Sequence, residues 1–144
     1  MKCQNNDDIK KLIEKFAEGN IRKEDWHHYE HLVVAVWHLE EDSFEVALEK
    51  IKKGILLNNK RNAVIQTKNG GYHETLTIFL VKAIANVLKK SECSKLNLID
   101  KISYVEEYFG DFRAFVLTFY TEEKINSWDA RIFWQEPDLK SSDF

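Results

Sequence analysis

The run Glu24-Asp25-Trp26-His27-His28-Tyr29-Glu30-His31-Leu32-Val33-Val34-Ala35-Val36-Trp37-His38-Leu39-Glu40-Glu41 decides the fold. Its first two residues are acids, which favour the positive end of a helix dipole, and no glycine or proline interrupts it. The spacing predicts one helix from about Glu24 to Glu41. The centre, Leu32 to Trp37, is apolar almost all round, and a helix of that kind has to be covered on several sides. It belongs in the middle of a helical bundle.

Helical spacing continues on both sides of this segment. Upstream, Ile9, Leu12, Ile13, Phe16 and Ala17 form one stripe between the acidic start Asp7-Asp8 and Gly19. Downstream, Ser43 can accept from the free amides of a third helix, whose stripe is Phe44, Ala47, Leu48, Ile51 and Ile55. Gly54 is a weak point near the end of that helix. Asn58 to Gly71 is polar, carries two glycines and has no clear period, so it reads as the one long loop. Leu76, Phe79, Leu80, Ala83, Ile84, Val87 and Leu88 then mark a fourth helix, and Ser91 to Lys95 a connector. Leu98, Ile99, Ile102, Val105 and Phe109 give a fifth helix ending at Gly110, and Asp111 can cap a sixth bearing Phe112, Phe115, Val116 and Phe119. Thr121 and Ser127 are capping residues for further turns in the tail. No stretch alternates as a strand does, so the expected fold is an all-α, single-domain bundle of about six to seven helices over residues 1–144.

Composition narrows the function classes. The chain has 144 residues, 44% hydrophobic and 31% charged, and a formal net charge of −3. No apolar run approaches the roughly 20 residues that span a bilayer, and the lysines are scattered among acids rather than gathered into a basic face. Neither a membrane nor a nucleic acid is an expected partner. The polar start lacks the apolar core of a signal peptide. Cys3 and Cys93 make neither a metal spacing nor a disulfide framework and read as reduced thiols, so a cytoplasmic location is expected.

Chemistry, where the sequence hints at it, lies in the histidines. Four of the five fall in two short segments, Trp26 to Leu32 and Gly71-Tyr72-His73-Glu74-Thr75, each at the opening of an apolar helix. Steps of three and four residues put Glu24, His28, His31, Ala35 and His38 on one side of the second helix. His27 points away and reads as a solvated or capping residue. His38 is two turns beyond His31 and reads as structural. Ala35 is small and leaves room for another helix or a ligand. If the starts of the second and fourth helices meet, His28, His31 and His73 could hold a divalent transition metal (zinc, iron, nickel or manganese), with Glu74 or Glu24 as a further ligand or a general base on bound water. A metal-free reading stands beside it, because histidines one turn apart also serve as core-edge imidazoles that hydrogen-bond backbone or carboxylates. Trp26, Trp37, Tyr72 and Phe79 flank the histidines and can either wall a pocket or fill the core.

The blocks Trp26-x-His28-x-x-His31-Leu32-x-x-Ala35, Gly71-Tyr72-His73-Glu74-Thr75-Leu76-Thr77 and Ala130-Arg131, followed by Glu136-Pro137-Asp138-Leu139, resemble those of a family of small bacterial all-helical proteins of uncharacterised activity. The resemblance covers most of the chain. It implies a shared site, favours His28 over His27, makes Tyr72, His73, Glu74 and Thr77 a unit, and adds Arg131. Tyr72, Thr77 and Arg131 are then candidates to bind a small molecule. The fixed ending implies a tail folded back over the bundle. Three expectations follow: a metal-dependent enzyme or binder acting on a small molecule, a metal-free small-molecule-binding protein, or a structural or protein-interaction module in which the histidines are structural.

Overall fold

The computed structural model describes residues 2–144, and among these it contains helices and no strand. Five long helices make the bundle: α1 (Asn6–Glu18), α2 (His28–Glu41), α3 (Phe44–Arg61), α4 (Glu74–Leu88) and, after the single turn α5 (Ser91–Ser94), α6 (Leu98–Phe109). Three short segments follow, α7 (Phe112–Leu117), α8 (Glu122–Ile125) and α9 (Trp128–Ile132). The all-α fold is as expected. The helical turn that the spacing does not predict is α5, where the connector winds once and buries Cys93.

Helix starts are set by side chains that satisfy the first free amides. Ser43 accepts from the Val46 N–H, Asp111 from Ala114, Thr121 from Lys124 and Ser127 from Ala130. Helix α2 lies at the centre, with Leu32 through Val36 all buried and α1, α3, α4 and α6 packed around it. Its five consecutive buried residues cover every face of the helix, which is what the uninterrupted apolar run required. A second cluster, built on Phe79, Val116, Phe119, Tyr120 and Ile125, joins the first through Leu80 and Phe115. Phe79 is therefore core filling.

Three boundaries differ from the spacing, the simplest being α7, which stops at Leu117, short of Phe119. A short 3-10 turn, Lys23–Asp25, precedes α2, and His27 is extended (φ −111°, ψ −179°), so the helix begins at His28 and not at Glu24. The reason is local: the His27 N–H donates to the Glu30 carboxylate at 2.9 Å, which fixes the first turn, and Trp26 is left free to stack on Phe16. At its other end α3 continues through Asn58 to Arg61, residues that read as loop. Asn58 is 1% exposed. Its Oδ1 accepts from the Ile21 N–H at 3.0 Å, and its Nδ2 donates to the Phe16 and Gly54 carbonyls at 2.9 and 2.8 Å. A buried asparagine on a helix is acceptable because it replaces the backbone partners that the α1–α2 connection cannot find for itself. Gly54 lies directly beneath the Phe16 ring, which lets α1 approach α3 closely.

The tail folds back, as expected. Thr75 Oγ1 donates to the Phe133 carbonyl at 2.8 Å and accepts from the Gln135 N–H at 3.0 Å. Tyr120 Oη donates to the Gln135 carbonyl at 2.6 Å, and the Asp138 carboxylate accepts from the Thr121 N–H and hydroxyl at 2.9 and 2.7 Å. No helix among the described residues is long and apolar enough to cross a membrane. Both cysteines are free thiols.

Candidate functional site

The two histidine segments come together at one end of the bundle, around a cavity of about 490 Å³. Helices α2, α3 and α4 form its walls, the first residue of α7, Phe112, closes one side, and Val64 and Gly71 of the loop close another. The interior is aliphatic: Ala35, Ile51, Ile55, Leu80, Val81 and Ile84. Ala35, whose small side chain leaves room for another helix or a ligand, lines it. The polar residues in the wall are His27, His28, His31, Asn59, Tyr72, His73 and Thr77, and no Lys, Arg, Asp or Glu is among the lining residues.

His31 is positioned by its own helix start. Its Nδ1 lies 2.7 Å from the His27 carbonyl oxygen, and the Trp26 ring covers it with centroids 3.8 Å apart. A carbonyl oxygen can only accept, so Nδ1 carries the proton and Nε2 keeps a lone pair. Burial lowers the pKa of this imidazole below its ordinary value of 6.5, so it stays neutral near pH 7. His28 is exposed at the rim, its ring edge-on to Phe112 with centroids 4.1 Å apart, and partial burial lowers its pKa as well.

His73 is the cap of α4. Its Nδ1 accepts from the Leu76 N–H at 3.1 Å, so Nε2 must carry the proton, which it donates to the Ile125 carbonyl at 2.7 Å. Both ring nitrogens are thus committed to backbone, and burial, followed by the nearby Arg131 charge, lowers its pKa. Tyr72 lines the cavity with its hydroxyl donating to Glu74 Oε1 at 2.7 Å. Glu74 lies behind Tyr72, outside the cavity wall, where Lys52 neutralises it at 3.1 Å. Burial and then the Glu74 carboxylate raise the Tyr72 phenol far above its ordinary value, so it remains protonated.

Arg131 holds the loop. Its Nε donates to the Lys68 carbonyl at 3.0 Å and an Nη to the Gly71 carbonyl at 3.1 Å. The Gln66 side chain adds a second brace, donating to the Tyr72 carbonyl at 2.8 Å and accepting from the Tyr72 N–H at 2.9 Å. Gly71 has φ 88°, and a Cβ there would meet Gln66 Oε1 at 2.7 Å, so this turn requires glycine. Arg131 shapes the cavity through the loop and does not itself line it.

Seen against the sequence expectations, His28, His31, Tyr72, His73 and Thr77 meet at one cavity, while Glu24 and Glu74 stay outside it. Glu24 is exposed in the 3-10 turn, off the His28–His31 face, because the helix starts four residues later than the spacing indicates. The histidines do not form a ligand set: among the described residues no group of three or more His, Cys, Asp or Glu is placed to hold one metal ion. Each imidazole is turned instead by its own backbone or aromatic contact. Ile51, Ile55, Leu80 and Ile84, all members of the apolar stripes, wall the cavity, and Asn59 and Phe112 join them. Periodicity marks a residue as buried but not whether its neighbour is a side chain or a void. In comparisons with family models, curated proteins and solved structures, none matches this chain, and the site rests on its own residues.

Proposed function

We propose that this protein binds a lipophilic small molecule in the cavity between α2, α3 and α4, and does so without a metal. The observation that carries this reading is the cavity's composition: an aliphatic interior of about 490 Å³ with imidazole, phenol, hydroxyl and amide groups in its wall. Its volume falls in the roughly 300–1,000 Å³ range of small-molecule sites, which combine apolar walls with a few convergent polar groups. Burial of apolar ligand surface supplies affinity, and the polar groups supply orientation. The free Cys3 and Cys93 thiols fit a cytoplasmic setting.

Titration with a neutral lipophilic fluorophore such as Nile red tests this reading. Saturable binding at one equivalent is expected, with Trp26 emission quenched because its ring is part of the wall. Ala35→Leu, which pushes a branched side chain into the void, should weaken binding about tenfold or more while the fold persists. Equal binding by wild type and Ala35→Leu would place the probe elsewhere and refute the assignment.

A further inference from the structure

Resting on that reading of the cavity, we infer that its ligand is uncharged and carries a hydrogen-bond donor, a hydroxyl or N–H, which the His31 Nε2 accepts. The His31 side chain is in the cavity wall, and its Nδ1–H is spent on the His27 carbonyl at 2.7 Å. Nε2 is left with a lone pair and no hydrogen bond from any described residue. That atom is also not sealed in, since no fully buried side-chain nitrogen or oxygen among the described residues lacks a partner. Nε2 is therefore an acceptor with accessible surface, on a side chain that lines the cavity. An acceptor drawn out of water without a donor is costly, and a ligand O–H or N–H removes that cost.

Two neighbouring polar groups of the wall are already committed. His73 has both nitrogens engaged, and the Tyr72 proton goes to Glu74. Neither can serve as the donor that His31 lacks. With no Lys or Arg in the wall, a carboxylate or phosphate would enter without a counter-charge, and with no Asp or Glu so would a cation. The aliphatic interior takes the rest of the molecule. The class that fits is a neutral amphiphile, an alcohol, phenol or amide with an apolar body.

Three shape-matched compounds distinguish the possibilities at pH 8: 4-pentylphenol offers a donor, 4-pentylanisole replaces it by a methyl ether, and 4-pentylbenzoate is an anion. Calorimetric titration of the full chain should rank the phenol about tenfold tighter than the anisole, the effect of one hydrogen bond, and tighter again than the benzoate. In His31→Leu the phenol should fall to the affinity of the anisole, which itself should change little. If that variant does not fold, the ¹⁵N resonance of His31 Nε2 in the wild type reads the same contact, moving with the phenol and not with the anisole. Equal affinity for phenol and anisole overturns the donor assignment and leaves the cavity reading in place. Preference for the benzoate overturns the neutral class. Failure of all three compounds together with Nile red overturns the cavity reading and this inference with it.

Discussion

Replacing Gly54 by alanine should destabilise this protein, although helix propensity alone says the opposite. In an exposed helix interior, Gly→Ala stabilises by about 0.8–1 kcal/mol. Gly54 is buried in α3, and a Cβ there would stand 2.8 Å from Phe16 Cδ2 and still nearer to Cε2 and Cζ. Phe16 has little freedom to move aside: it is 1% exposed and stacked on Trp26 with centroids 5.4 Å apart. Forcing extra volume into such a core costs typically about 1–3 kcal/mol. Three ring atoms in conflict put Gly54→Ala at the upper end, and after the propensity gain a net loss of about 2 kcal/mol remains, or roughly 4–8 °C in Tm for a chain of this size. Urea denaturation followed by circular dichroism measures it directly. Phe16→Leu should reduce the penalty of Gly54→Ala by about 1 kcal/mol in a double-mutant cycle, because it shortens the ring that the new methyl meets. A Gly54→Ala protein as stable as wild type, with an unchanged denaturant slope, would refute the claim that Gly54 is needed for α1 to approach α3 closely. The same variant should alter Trp26 emission, since displaced Phe16 pushes on the cavity wall.

Acidification should weaken the fold. The pKa values of His28, His31, His38 and His73 are all held below the ordinary 6.5, burial being the largest cause in each. Unfolded imidazoles then bind protons that folded ones refuse, so their stabilising contribution is complete above about pH 6.5 and is lost as pH falls from there through the folded values. The slope within that window approaches about 1.4 kcal/mol per pH unit for each fully shifted histidine, with exposed His28 contributing least. Urea midpoints that do not change between pH 7.5 and pH 5 would contradict the lowered pKa values of these rings. Thr75→Val keeps the shape of a fully buried side chain but removes both hydrogen bonds to the tail. It should cost about 1–3 kcal/mol and expose residues 133–144 to limited proteolysis before the helices are cut; a tail as resistant as wild type would show that Tyr120 and Asp138 suffice to hold it.

What could be read from the chain follows the range of the interactions involved. The caps at Ser43, Asp111, Thr121 and Ser127 are contacts within one turn, and all four accept the amide expected of them. The apolar run Leu32–Val36 likewise announced a helix covered on all sides. Misreadings arise where a distant partner overrides local pattern. Asn58 looks like loop until the Phe16 and Ile21 backbone, on the far side of a helix packing, is in place to use its amide. The candidate site was legible to the same depth. Face geometry put His28, His31 and Ala35 together, and the meeting of the α2 and α4 starts brought His73, Tyr72 and Thr77 to them. Which way each imidazole turns was not legible, because it depends on the His27 and Ile125 carbonyls. Nor was the void itself: Ile51 and Leu80 have the same spacing whether they face a side chain or an empty space.

The Arg131 brace also imposes an order on assembly. The loop wall is drawn to α9 through carbonyls some sixty residues earlier in the chain, and until Arg131 has been synthesised Lys68 and Gly71 have no such donor. While the chain emerges, α2, α3 and α4 can therefore associate around a cavity that still lacks this restraint on one side. The loop wall is therefore the last part of the cavity to be restrained, and only a chain that extends through α9 holds it.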